Sequence, residues 1–322
     1  MNKLEVRNLV VRYGRLTAVD GVSFAIPAGG TLGLVGESGS GKSTVARALV
    51  QLVPPAAGQI LMGDEDVTRV RGKQLQSLRT RLQMVFQDPY SSLNPRMTVG
   101  DMIEEVLREH QHLTAQERRQ EVLRLLDVVA LESQFIDRYP HQFSGGQRQR
   151  IAIARALAVR PEVIILDEVV SSLDVSVQAD ILNLLRDLQR EFDLTYLFIS
   201  HDLSVVRYMS DAVSVMYLGR IVEWTTTEEL FRDPEHPYTR GLIDSIPKMV
   251  AGGNADRLKL SGEIPDPRFP PSGCRFHTRC PIGPLTHSER HICLETDPHA
   301  TVQATKHYVA CHFPLERERL KQ

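Results

Sequence analysis

Gly36-Glu37-Ser38-Gly39-Ser40-Gly41-Lys42-Ser43 fits the pattern G-x-x-x-x-G-K-[S/T], in which glycines let the backbone approach a polyanion and amides wrap its phosphates. Lys42 would reach the terminal phosphates and Ser43 could ligate Mg2+. A second cluster is Asp167-Glu168, two carboxylates closing the apolar run Val163 to Leu166, where open α/β sheets bind ligands. Their roles should differ. Asp167 would hold Mg2+ through its hydration shell, and Glu168 would orient and polarise the water that attacks a γ-phosphate. A third cluster, Ser144-Gly145-Gly146-Gln147, opens a helix with a hydroxyl and free amides, which makes a second helix-terminal anion site.

These residues need a scaffold, and the patterning supplies one. Leu4 to Ile26 alternates as strands joined by turns at Tyr13-Gly14 and Asp20-Gly21. Thr31 to Val35 is a short apolar strand entering the glycine loop, and Lys42 to Val53 reads as a helix closed by Pro54-Pro55. Val99 to Arg108, Ala115 to Val129 and a helix after Ser144 form a helical insertion over about 88–160. Val163 to Leu166 and Leu194 to Ile199 are near-continuous apolar runs, as central parallel strands are, and Val177, Ile181, Leu184 and Leu188 mark the helix between them. Residues 1–248 therefore make one α/β body, and no internal repeat indicates a second. After Pro234 the prolines and Ala251-Gly252-Gly253-Asn254 predict a linker, with a loop-rich accessory domain over 249–322.

With the three clusters in this order, the chain resembles the ATP-binding-cassette (ABC) family, whose signature motif usually begins with leucine where Phe143 stands. The resemblance implies a phosphate-loop NTPase cassette with a RecA-like core, a β subdomain and a helical insertion. It also implies roles for residues that would say little alone. Tyr13 matches the aromatic that stacks on adenine, Gln87 the glutamine loop that contacts Mg2+ and couples the site to a membrane subunit, and His201 the switch histidine beside Glu168. Ser172-Leu173-Asp174 matches the loop following the catalytic carboxylate, and Gly36, Glu37, Ser38, Gly39, Ser40, Gly41, Lys42, Ser43 and Thr44 the ATP cradle. In the family Ser144 to Gln147 act in trans, on ATP bound by the opposite subunit. One departure is Val169, where the family usually has proline; valine leaves φ freer, so Glu168 is expected to be held less rigidly and hydrolysis to be somewhat slower or less tightly coupled.

Gln87-Asp88-Pro89-Tyr90-Ser91-Ser92-Leu93-Asn94-Pro95-Arg96-Met97-Thr98, Tyr139-Pro140-His141-Gln142 and His236-Pro237-Tyr238-Thr239-Arg240 are similar to the ATPases of oligopeptide and dipeptide importers, and nearer the second of their two nonidentical ATPase subunits. The partners so implied are a second ATPase in a heterodimer, two membrane permease subunits and an extracytoplasmic solute-binding protein. Very similar ATPases serve importers of glutathione, nickel or opines, so the cargo stays open.

All four cysteines, Cys274, Cys280, Cys293 and Cys311, lie in the tail. Clustered in a reducing cytosol they favour a metal or cluster over disulfides. A four-thiolate [4Fe-4S] cluster and a structural zinc are both open readings. Homologues in peptide importers carry the cluster, usually with a shorter gap than Pro281 to Ile292 between the second and third cysteines. If the metal is zinc, His277, His287 and His291 are alternative ligands to Cys293.

Composition narrows the function classes. With 38 basic and 40 acidic residues among 322, no charge excess suggests a nucleic-acid partner. No apolar run approaches a membrane span and the start lacks a signal-peptide layout, so a cytosolic protein held peripherally at the cytoplasmic face of the membrane is expected. No coiled coil interrupts the cassette and no second cassette follows, unlike the forms that act on DNA or ribosomes, and a phosphate-loop kinase would leave Ser144 to Gln147 unexplained.

Overall fold

The computed structural model describes residues 1–88, 92–246, 258, 260–301 and 307–315. The expected Pro89-Tyr90-Ser91 motif segment and the Ala251 to Asn254 linker lie outside them.

Two sheets carry the chain. The first is antiparallel, ordered β2-β1-β4-β5, with β1 Asn2–Tyr13, β2 Leu16–Pro27, β4 Ala57–Met62 and β5 Glu65–Asp66. The turn at Tyr13-Gly14 forms as expected, but Asp20-Gly21 is not a turn. Asp20 pairs with Val10 and Val22 with Leu9, so Gly21, at φ 72°, is an extra residue within β2 and the strand runs on through a bulge. A bulge and a turn both use glycine's positive φ, and that residue alone does not separate them.

The larger sheet has seven strands in the order β11-β10-β9-β3-β8-β7-β6. Its parallel centre is β3 Thr31–Val35, β6 Leu82–Val85, β7 Val163–Asp167, β8 Thr195–Ser200 and β9 Ala212–Tyr217. β3, β7 and β8 are buried along their length, which explains their largely apolar sequence. β10 Arg220–Thr226 and β11 Tyr308–Val309 add antiparallel edges. The tail thus supplies an edge strand to the main sheet, and Cys274, Phe276 and Cys293 share its core.

Helix α1, Lys42–Leu49, stops short of the expected Val53. Gln51 turns left-handed at φ 56°, and the amide of Leu52 returns to the carbonyl of Arg47 at 2.9 Å, closing the helix before the prolines act. α2 spans Lys73–Arg81. The helical insertion forms as α3 Val99–His110, α4 Ala115–Val128 and α5 Gly145–Leu157. Thr98 with Asp101 and Thr114 with Glu117 make reciprocal caps that set the starts of α3 and α4. Their apolar faces, with Ile103, Leu107, Val122, Leu126 and Ile151, enclose one continuous core with α6, Val175–Phe192. α7 Leu203–Met209, α8 Thr227–Arg232, α9 Pro237–Asp244 and α10 Ile292–Glu295 complete the order. Among the described residues no helix is long and apolar enough to cross a membrane.

Candidate nucleotide site

Because β3, β8 and β7 are neighbours and parallel, their carboxyl ends present the glycine loop, His201 and the Asp167-Glu168 pair side by side. The loop's shape depends on its glycines. Gly36 has φ 151°, and a Cβ there would stand 2.1 Å from the carbonyl oxygen of Met216. Gly41, at φ 107°, faces the carbonyl of Ala18 in the same way. Only glycine can make these approaches.

Lys42 is buried and its Nζ donates to the carbonyls of Gly36 at 2.7 Å and Glu37 at 3.0 Å. Burial lowers its pKa, against the attraction of Glu168, Asp167 and Glu37. The Ser43 hydroxyl donates to Asp167 Oδ1 at 3.2 Å, which joins two of the three residues expected at Mg2+, Gln87 being the third. Burial raises the Asp167 pKa, opposed by the bond from Ser43.

Two side chains approach one oxygen of Glu168, Gln87 as a hydrogen-bond donor and His201 at ion-pair distance. Gln87 Nε2 lies 3.0 Å from Oε2 and His201 Nδ1 lies 3.2 Å from it. Glu168 has φ 50°, a costly conformation for a residue with a side chain. Its amide donates to Ile199 O at 2.9 Å, and its carbonyl accepts from the amide and hydroxyl of Ser171 at 3.1 and 2.9 Å. Val169 and Val170 are buried beside it. The freedom expected of Val169 is therefore taken up by packing and by bonds on either side of Glu168.

Tyr13 ends β1 with 42% of its surface exposed, so its ring face is open to a partner. The signature residues form the start of α5. Ser144 Oγ accepts from the Gln147 amide at 3.3 Å and Gln147 Oε1 accepts from the Ser144 amide at 3.0 Å, while Ser144 and Gly145 are exposed. Leu173 packs on Gly145, where a Cβ would stand 3.2 Å from the leucine side chain, so the loop after Glu168 braces the signature helix. Ser172 and Asp174 stay exposed on this face.

Residues 19–171 match the family described as ABC transporter, and residues 222–283 match the oligopeptide/dipeptide transporter C-terminal region. The oligopeptide transport ATP-binding protein AppF of Bacillus subtilis is 51% identical over 94% of this chain and 91% of its own length. This chain is an ATP-binding subunit of the ABC transporter family. The dipeptide transport ATP-binding protein DppF of Escherichia coli is 49% identical over 84% of the chain and 81% of its own. Among solved structures, cbiO1 of Clostridium perfringens superposes with a TM-score of 0.66 at 31% identity, covering 71% of this chain and 90% of that one. A dimeric post-hydrolysis state of the cassette MJ0796 bound to ADP and Pi gives 0.63 at 28% identity, over 70% and 98%. The subunit is an ATPase, and ATP with Mg2+ are its substrate and cofactor. Ser43 and Asp167 would hold the ion, whose charge would offset that of the phosphates.

The four cysteines are unpaired and line one cavity, walled by Phe276, Ile282 and Phe313. Burial pushes the thiols of Cys274 and Cys311 up to about 12 and that of Cys280 to about 11. Cys293, despite its long preceding loop, faces the same space, and its carbonyl accepts from the amide of Cys274 at 2.9 Å. His277 also lines it; His287 and His291 do not. Among the described residues, however, no three His, Cys, Asp or Glu side chains gather closely enough to hold one metal ion.

Sequence reasoning missed two residues that hold the glycine loop. The Tyr238 hydroxyl accepts from the Glu37 amide at 2.9 Å, and Arg279 reaches the Glu37 carboxylate. They lie more than 200 positions from Glu37, and no local pattern signals such a contact.

Proposed function

We propose that this ATPase is the energy-coupling subunit of a di- or oligopeptide importer, bound peripherally at the cytoplasmic face of the membrane to two permease subunits. Its partner in the head-to-tail dimer is a second, nonidentical ATPase, and cargo arrives on an extracytoplasmic solute-binding protein. The observation that carries the dimer is the division of the site. Glu168, His201, Gln87, Ser43 and Asp167 converge, whereas Ser144 and Gly145 face outward with their hydrogen bonds kept within the cap. Val175, 82% exposed beside Ser172-Leu173-Asp174, offers apolar surface on that outward face. An exposed signature has a use when it closes over ATP held by another subunit, so each subunit alone is half an enzyme. The names of the relatives support the peptide cargo.

Uptake of labelled dipeptides and oligopeptides by cells carrying the complete transporter, with and without this subunit, tests the cargo. Subunit-dependent uptake of glutathione, nickel or an opine in place of peptides would move the assignment to that cargo. Purification through this subunit tests the partners. A homodimer would overturn the pairing.

The cysteine cavity fits a thiolate-held group by donor chemistry, since all four cysteines line the same cavity. Four thiolate donors suit a [4Fe-4S] cluster, with a single zinc as the alternative. When bound, the group would cross-link the loop-rich tail. Iron, sulfide and zinc analysis of anaerobically purified protein distinguishes the two; zinc without iron would overturn the cluster.

A further inference from the structure

Glu37, the second residue of the glycine loop, is held from the far end of the chain. Arg279 Nη1 donates to its Oε2 at 2.6 Å and Nη2 to its Oε1 at 3.0 Å, a two-pronged pairing that fixes direction as well as distance. Arg279 is only 7% exposed and its charge is otherwise met by the face of Tyr217, 5.8 Å away. The Glu37 amide is bound by Tyr238, and its carbonyl by Lys42, so side chain and backbone are both constrained.

Arg279 sits on a chain of tight turns between two cysteines. The amide of His277 bonds the carbonyl of Cys274 at 3.0 Å, that of Arg279 bonds Phe276 at 3.0 Å, and that of Gly283 bonds Cys280 at 3.1 Å. Phe276, from the same turns, packs against Tyr217 and Tyr238 at ring distances of 5.3 and 5.4 Å. Phe276 lines the cysteine cavity and packs on Tyr238, which binds the glycine loop, and Arg279, which reaches Glu37, is adjacent in sequence to Cys280.

We propose that Arg279 is a positioning residue for the glycine loop, neutralising and aiming Glu37 so that the loop accepts a polyphosphate, and that Cys280 acts on ATP affinity through it. The physical reason is charge. A carboxylate beside a phosphate cradle repels its ligand, and a bidentate guanidinium removes that repulsion while fixing the carboxylate away from the incoming anion. The turn bearing Arg279 is anchored at both ends by side chains lining the cysteine cavity, so a disturbance there moves the guanidinium.

The proposal rests on Gly36 to Ser43 being the phosphate loop, and the test separates the two. In the assembled transporter, ATP affinity and steady-state ATPase are measured for Arg279→Ala, Arg279→Lys, Glu37→Gln, Cys280→Ser and the doubles Arg279→Ala/Glu37→Gln and Arg279→Ala/Cys280→Ser, with Lys42→Ala as control. Arg279→Ala should weaken ATP binding and raise KM about tenfold, or about 1.4 kcal/mol, with kcat within threefold. Arg279→Lys, which keeps the charge but not the fork, should fall between. Glu37→Gln should rescue Arg279→Ala, because the repulsive charge is gone, and Cys280→Ser should weaken binding in the wild type but add nothing to Arg279→Ala. Unchanged affinity in Arg279→Ala, or no rescue by Glu37→Gln, overturns the positioning role. Additive effects of Cys280→Ser and Arg279→Ala overturn the link to the cavity. ATP binding that survives Lys42→Ala would instead indict the phosphate-loop assignment. Should Arg279→Ala not fold, Arg279→Lys and Glu37→Gln decide: affinity unaltered in both refutes the proposal.

Discussion

His201 and Glu168 meet across the ends of β8 and β7, Nδ1 to Oε2 at 3.2 Å, on the same oxygen that Gln87 reaches at 3.0 Å. Both side chains lie against Oε2, and only Gln87 donates a hydrogen bond to it. His201 is the outer member, its side chain 57% exposed, and Glu168 the inner one, so the pair spans the path from solvent to the glycine loop. A histidine on one side and a glutamine on the other thus flank the carboxylate.

The first prediction concerns that base. Glu168→Gln should retain ATP binding, because Lys42 and the loop amides are untouched, and lose turnover by at least about 100-fold, the usual worth of a positioned general base. ATPase and nucleotide-binding measurements on the assembled transporter check it. Unchanged hydrolysis would remove Glu168 from the mechanism.

His201→Ala should lower kcat by roughly 10- to 100-fold and leave ATP affinity within a few-fold. Gln87→Ala should cost less, since His201 remains beside Oε2. Single-turnover hydrolysis compares the two, and a larger loss for Gln87 would reverse their assigned weights.

Gly36→Ala should abolish ATP binding even if the chain folds. A methyl group 2.1 Å from the Met216 carbonyl cannot be accommodated without moving β9 or the loop, and the positive φ adds strain. Gly39→Ala makes a graded comparison, because a Cβ there meets nothing within 4 Å, though its φ of 79° still disfavours alanine. Equal affinity for the two variants would show that the Met216 contact is not what excludes a side chain.

The nucleotide site was legible in the residues because its parts are short, ordered and tied to strand ends. Apolar β3, β7 and β8 announced themselves by having no polar face, and the glycine loop and Asp167-Glu168 follow them directly. The errors share one cause. Gly21 in a bulge and Gln51 at a helix end are decided by which backbone groups find partners, and neither residue type shows that. Likewise the pairing of Tyr308 with Trp224 and the reach of Arg279 to Glu37 are long-range contacts, so the tail read as a separate unit although it closes one edge of the main sheet.

The tail is also joined to the body by a shared carboxylate, which gives the last prediction. Asp20 Oδ2 accepts from Arg220 Nε at 2.9 Å and Nη2 at 2.7 Å, and from Arg275, which precedes the turns of Arg279. Partial burial would raise the Asp20 pKa, but the bonds and charges of Arg220 and Arg275 outweigh it and hold the group below its ordinary 3.8. A carboxyl depressed by folding contributes stability that is complete above 3.8 and is lost as pH falls through the lower folded value, because the unfolded chain takes up the proton first. Asp20→Asn should therefore destabilise the protein at neutral pH by about 1–3 kcal/mol, leaving Arg220 with Asp297 but Arg275 with no carboxylate, and should flatten the acid limb of the stability profile below pH about 4. Urea unfolding followed by the fluorescence of Trp224, the one tryptophan and a partner of Tyr308 on β11, reads the tail and the sheet edge together. An acid limb as steep in Asp20→Asn as in the wild type would assign that loss of stability to other carboxylates.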